Sequence, residues 1–184
     1  MLYKNIRNSS WKCLIDNQIT ALPVSLKKIA RISGIKIIAN SVAHKLPSNV
    51  NGMTIYQNNT FYIIFNDLLK ASVCRFTIAH EIGHIVLKHT MTNSTYGLSF
   101  TSNKPIEESE ADMFAIRLLA PACVLNEIGA LTAEEIMQVC NISYSAASIR
   151  AERIHELMRR NKWYADPLER QVKKQFQDFI NNYK

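Results

Sequence analysis

The chain has 184 residues, 47% hydrophobic and 20% charged, with a net charge of +7, enough for one domain with a sizeable core plus a small appendage and ordinary for a soluble globular protein. No apolar run approaches the roughly 20 residues of a membrane span, and residues 1–11 are polar with no long apolar core after them, so the expected compartment is the cytoplasm and no membrane partner is expected. The four cysteines, Cys13, Cys74, Cys123 and Cys140, are scattered with no C-x-x-C, which in a reducing compartment reads as free, buried thiols.

The charge is uneven. Residues 1–51 carry eight Lys/Arg against one Asp, residues 52–149 five against nine acids, and residues 150–184 nine against five. The middle is acidic and both ends are basic. Basic ends suit nucleic acid or an acidic protein partner, and equally suit plain solubility.

Residues 1–20 have weak helical periodicity. A clearer helix begins at Pro23-Val24-Ser25-Leu26, with Leu26, Ile29 and Ala30 on one face and Gly34 as its stop. Ile35 to Ile38 reads as a short strand and residues 39–51 as a loop. Residues 52–57 and 60–65 are β-rich runs flanking Asn58-Asn59, a hairpin pattern. With residues 35–38 they make a small, mostly antiparallel sheet.

A helix starting near residue 70 carries His80-Glu81-Ile82-Gly83-His84. H-E-x-x-H sets two imidazoles one turn apart on a single helix face, able to meet one ion. Glu81 lies beside that face, where it can take a proton from a metal-bound water. Phe76, Ile78, Ile82, Ile85, Val86 and Leu87 supply the apolar surface of a largely buried helix. A catalytic zinc site wants a third protein ligand. His89, nine residues after His80, projects to the opposite side of a continuing helix and is set aside. The pattern H-E-x-x-H-x-x-G-x-x-H fails, because its Gly and third His fall on Leu87 and Thr90.

After a polar segment at residues 90–105, read as a long loop able to line a cleft, Glu107-Glu108-Ser109-Glu110-Ala111-Asp112 opens a second helix running to Pro121. Acids in a first turn suit the helix dipole. Glu108 and Asp112 also share a face, so Glu108 is read as the third ligand and Asp112 as the hydrogen-bond partner of a ligating histidine. Glu107 and Glu110 are expected to be solvated. Two histidines and a carboxylate favour zinc, with manganese the alternative. Cys74, two turns before His80, is read as packing. His44, His155, Tyr62 and Tyr96 are equal candidates for stabilising an oxyanion.

Thr132 with Glu135 three residues on is a capping box for a helix ending at Cys140. Residues 141–143 form a turn, and a helix follows from Tyr144 to Met158. This pair resembles a helix-turn-helix with Arg150 and Arg153 on its second helix, so direct nucleic-acid contact is weighed but not preferred. Pro167 breaks the tail, in which Val172, Phe176, Phe179 and Ile180 share a helical face.

F-T-I-A-H-E-I-G-H followed by E-S-E-A-D-M-F-A-I-R-L-L-A-P resembles the ImmA/IrrE metallopeptidases of bacteria, their phages and mobile elements. The resemblance is strong over residues 50–121 and extends from about residue 20 to 160. It implies a gluzincin-like site with His80, His84 and Glu108 as ligands and Glu81 as base. It also implies a protein substrate, a helix-turn-helix repressor encoded alongside the enzyme. Ala120 stands where the family usually has Met, a packing position.

The expected fold is α+β: a small sheet on a helical metallopeptidase core, residues 1–121, followed by a helical region, residues 122–184, that resembles a helix-turn-helix and offers a docking surface. The expected function is a zinc-dependent endopeptidase cutting a specific DNA-binding regulator, with Glu81 as general base. The rival is a regulatory or toxin–antitoxin type binding protein that keeps a metal and acts through its C-terminal helices.

Overall fold

The structure, a computed structural model, describes residues 2–89, 106–161 and 163–183. The segment 90–105, including Tyr96, lies outside the described residues. In chain order the elements are α1 (Leu2–Asp16), α2 (Leu26–Ser33), β1 (Lys36–Ala39), α3 (Asn40–Ala43), β2 (Gly52–Gln57), β3 (Thr60–Phe65), α4 (Ala71–Leu87), α5 (Ile106–Leu119), α6 (Ala122–Ile128), α7 (Ala133–Cys140), α8 (Tyr144–Arg159), α9 (Pro167–Gln175) and α10 (Gln177–Tyr183). This is an α+β fold.

The local chemistry explains most boundaries. The Ser25 side chain accepts from the Lys28 backbone N–H to start α2, and Gly34 stops it at φ 69°, a left-handed position that glycine adopts without strain. Pro23 therefore lies ahead of the helix. The residues expected to be a loop after β1 include one short helix, α3, whose Asn40 side chain accepts from Lys45 and Leu46 N–H. Asn58 and Asn59 sit at φ 50° and 58°, as a two-residue hairpin turn with left-handed central residues requires. The Thr132–Glu135 capping box is formed. Pro167 does not break the tail. It is the first residue of α9, behind an Asp166 cap, where proline's missing N–H is harmless.

The sheet order is β1-β3-β2. The hairpin pairs antiparallel, with Gly52 opposite Phe65 and Gln57 opposite Thr60. Strand β1 joins β3 parallel, Lys36 opposite Tyr62, so the sheet is mixed. Its inner face covers α4, whose other sides meet α5, α1 and α2. A helix enclosed in this way needs apolar residues all round. Helix α4 buries the whole of Thr77 and Ala79 through His84.

Two glycines set the approach distances. A Cβ on Gly83 would come within 3.1 Å of Phe114 Cδ1 and 3.3 Å of the Ala111 backbone, so its absence lets α5 lie directly on α4. A Cβ on Gly52 would fall 2.3 Å from Thr77 Cγ2 and 3.5 Å from Glu81 Cγ, so β2 too rests against α4 at the site.

One buried core joins both ends of the chain. Ile6 and Leu14 of α1, Ile82 of α4 and Phe114 of α5 belong to the same cluster as Val172 and Phe176 of α9 and α10's flank. Gln175 ties α9 to the end of α1 by donating to Leu14 O (2.9 Å) and Ile19 O (2.7 Å). Among the described residues no single helix is long and apolar enough to cross a membrane. Cys13, Cys123 and Cys140 are buried free thiols, and burial pushes each up to about 12.

The contact at Gly52 makes a stability prediction. Gly52→Ala should destabilise the fold by about 1–3 kcal/mol, the usual cost of forcing a methyl group into a filled core. A urea titration should show a lower midpoint with an unchanged slope.

Candidate metal centre

His80 and His84 lie one turn apart on α4, each 1% exposed at the side chain. Their Nε2 atoms are 2.9 Å apart. Glu108, in the first turn of α5, brings Oε2 to 3.3 Å from His80 Nε2 and Oε1 to 3.2 Å from His84 Nε2. Ligand atoms at about 2.0–2.1 Å from a tetrahedral zinc stand about 3.3 Å from one another. The three atoms thus already have nearly the spacing that a zinc ion imposes.

The donor chemistry agrees. Two neutral imidazoles facing each other through Nε2 lone pairs repel unless a positive charge lies between them. Glu108 Oε1 is buried and makes no hydrogen bond, a costly state for a carboxylate oxygen unless a cation takes it. Among the described residues, His80, His84 and Glu108 are the buried group whose ligand atoms converge, all within 4.8 Å. The residues therefore fit a divalent cation. Cys74 stays out of the group, its Sγ donating to Asn66 O and Leu69 O.

Asp112 lies where the sequence suggests. Its Oδ1 is 2.8 Å from His80 Nδ1, which holds the proton on that nitrogen and leaves the Nε2 lone pair toward the cluster. In the metal-free protein, burial works against a charged His80 ring. The hydrogen bonds to Asp112 and Glu108 and the nearby Glu81 charge more than offset it, raising His80 to about 9. Burial alone would raise Glu108, yet the close His80 and His84 imidazoles hold it well below the usual carboxylate range.

Glu81 is 2% exposed and faces β2. Burial pushes its carboxyl up, against the nearby His80 charge and the Thr54 hydrogen bond. Thr54 Oγ1 donates to Glu81 Oε2 at 2.7 Å. Thr54 is a site residue that the sequence reading missed. Its signal was the strand period, since Thr54 lies two residues from Gly52 and so on the same face.

Two expectations are corrected. His89 does not project to the far side of α4, because the helix ends at Leu87 and Lys88 adopts φ 65°. That left-handed residue turns the chain back, and His89 Nδ1 comes to 3.1 Å from His84 Nδ1. Glu110 is not solvated. Its side chain is 13% exposed, with Oε2 3.0 Å from His89 Nε2. Glu107 is half-buried.

Among the described residues, His44, Tyr62 and His155 make no hydrogen bond to the cluster. His44 and His155 are exposed, and Tyr62 lines a groove between α2 and β1. Arg150 and Arg153 of α8 also turn inward. Arg150 is 5% exposed and donates from Nε to Ala120 O at 2.6 Å, and burial draws it down to about 10. Arg153 pairs with Glu156 and lies 5.1 Å from the Tyr3 ring. Neither is free to read a base edge.

Residues 31–152 match the Peptidase M78 family, described as the IrrE N-terminal-like domain. No curated protein matches the chain.

A metal entering this cluster must displace the proton from His80. Metal affinity should therefore fall as pH drops below 9, by about tenfold per unit while one proton competes. Calorimetric titration with zinc in two buffers of different ionisation enthalpy should show a proton released at pH 7.

Proposed function

The chain belongs to the Peptidase M78 family of metallopeptidases, and on that footing we propose that it is a zinc-dependent endopeptidase of the H-E-x-x-H type that cuts a specific DNA-binding regulator. The observation that carries this reading is the pairing of two features in one buried pocket of α4. Three ligand atoms converge there, and beside them lies Glu81, a carboxylate held by Thr54. A metal kept only for structure needs no such group.

His80, His84 and Glu108 would hold the ion, and Asp112 would fix the His80 tautomer. A zinc ion there would supply Lewis acidity, acidifying a water and polarising the scissile carbonyl. Glu81 takes the proton of the attacking water on Oε1, the oxygen that Thr54 does not hold, and returns it to the leaving amine nitrogen. Burial raises its pKa from the usual carboxylate value, which improves it as a base near neutral pH and as an acid in the second step. The Thr54 hydrogen bond keeps Oε2 occupied and leaves Oε1 to carry the proton.

A regulator as substrate rests on the resemblance to ImmA/IrrE members, which are associated with repressors encoded beside them. Residues 122–184 are the docking region in this reading. The exposed face of α8 is mixed, with Glu152, His155, Arg159 and Arg160. Docking raises the effective concentration of one substrate at the cleft, so affinity for peptide in general can stay low.

Glu81→Gln should keep metal and fold and lose about 10²–10⁴-fold in cleavage rate, the usual share of a general base. Thr54→Val should keep metal and lose about 10–100-fold, as expected for a hydrogen bond to a charged group. Elemental analysis of His80→Ala, His84→Ala and Glu108→Ala should show the metal lost in each. The zinc-loaded full chain should cut a neighbouring helix-turn-helix repressor and leave casein intact. Unselective digestion of casein would refute the specificity, and cleavage of neither would favour a metal-containing binding protein.

A further inference from the structure

His80 has a carboxylate, Asp112, on its outer nitrogen, whereas His84 is arranged differently. Its Nδ1 faces another imidazole, His89, and that ring faces Glu110. From this geometry we infer that His89 and Glu110 are positioning residues that fix the tautomer of His84 and so make it a metal ligand. The inference rests on the reading of His84 as a ligand.

The proton count allows one arrangement. To ligate, His84 must present its Nε2 lone pair to the cluster, so its single proton is on Nδ1. His89 Nδ1, at 3.1 Å, then has to accept that N–H. His89 is thereby left with its own proton on Nε2, which donates to Glu110 Oε2 at 3.0 Å. A carboxylate only accepts, so Glu110 sets the direction of the whole chain. The opposite tautomer of His89 would bring two N–H groups face to face at Nδ1. Burial makes that mismatch costly, with His84 and His89 1% and 7% exposed.

The fold explains why an imidazole is interposed. Glu110 leaves α5 about 200° round the axis from Glu108, away from the face that meets α4. His89, turned back by Lys88, spans the gap, with its ring centroid 5.1 Å from that of His84 and the planes at 71°. One turn and a half of α5 thus supplies the third ligand at Glu108 and the outer acceptors of both histidines. Asp112 reaches His80 directly, and Glu110 reaches His84 through His89.

The test uses the full chain with zinc alone, read by competition against a chromogenic chelator and by ¹⁵N-correlated NMR of the histidine rings. Loaded wild type should show His84 protonated on Nδ1 and His89 on Nε2. His89→Leu should bind zinc about 10–100-fold more weakly, as loss of an outer partner does. His89→Gln should recover most of that, since its amide oxygen can accept from His84 and its amide nitrogen donate to Glu110. Glu110→Gln, which keeps an acceptor, should lose less than Glu110→Leu. Wild-type affinity in His89→Leu overturns the inference, as does equal weakness of His89→Leu and His89→Gln, which marks a packing role. So does His84 protonated on Nε2 in the loaded protein. His84→Ala separates the two levels: if it binds zinc as wild type does, the ligand reading fails, whereas its collapse beside an unaffected His89→Leu overturns the outer chain alone.

Discussion

The structure depends on burying charge between α4 and α5. His80, Glu81, His84 and Glu108 are each at most 5% exposed. Any one of them alone in that place would be expensive, because an ion taken out of water loses several kcal/mol of solvation. Together they offset one another, imidazoles against carboxylates, with a divalent cation able to complete the balance. Removing one partner of such a buried set typically costs about 3–5 kcal/mol through the charge left behind. The same groups thus serve stability and chemistry, which couples metal binding to the packing of the two helices.

That coupling explains the closeness of the elements around α4. Gly83 lets the α5 backbone approach until Glu108 reaches both Nε2 atoms, and Gly52 does the same for β2 until Thr54 reaches Glu81. Both glycines are sites of close approach. Neither is needed for a left-handed turn, which is the job of Gly34 and Gly129. Glu81 is thus held by a strand, while the convergence of Glu108 on the two histidines rests on a helix. The two supports meet at α4.

Much of this was legible in the sequence, and the reason is locality. The spacing of His80 and His84 is a property of one helix, as is that of Glu108 and Asp112, and the Asn58-Asn59 turn and the Thr132 cap are decided within four residues. What escaped depends on where an element ends or on what faces it across space. The helical wheel failed for His89 because α4 stops at Leu87, and a left-handed Lys88 carries no glycine to announce it. Glu110 reads as solvated because it projects away from the Glu108–Asp112 face, and its partner His89 comes from outside α5. Thr54 needed the knowledge that β2 lies on α4. Strand β1 pairing parallel, and α3 within an expected loop, are likewise tertiary choices that short apolar runs leave open.

The helix pair α7–α8 shows how an outline can mislead about function. It is an eight-residue helix capped by Thr132, a short turn and a sixteen-residue helix capped by Ser143. Two of its arginines are used inside the fold. Arg150 spends its Nε hydrogen bond on the carbonyl of Ala120, where α5 passes into α6, and Arg153 lies with Arg117 against the ring of Tyr3 from α1. Guanidinium groups suit this task, since they keep their charge when buried and stack on aromatic faces. They bind α8 to α1 and to the junction of α5 and α6. The outward residues of α8 mix acids with bases, a surface that suits a protein partner better than a phosphate backbone, which favours a run of positive charge. The basic character of the C-terminal region is thus partly consumed inside the fold, and net charge overstates what is offered to a partner.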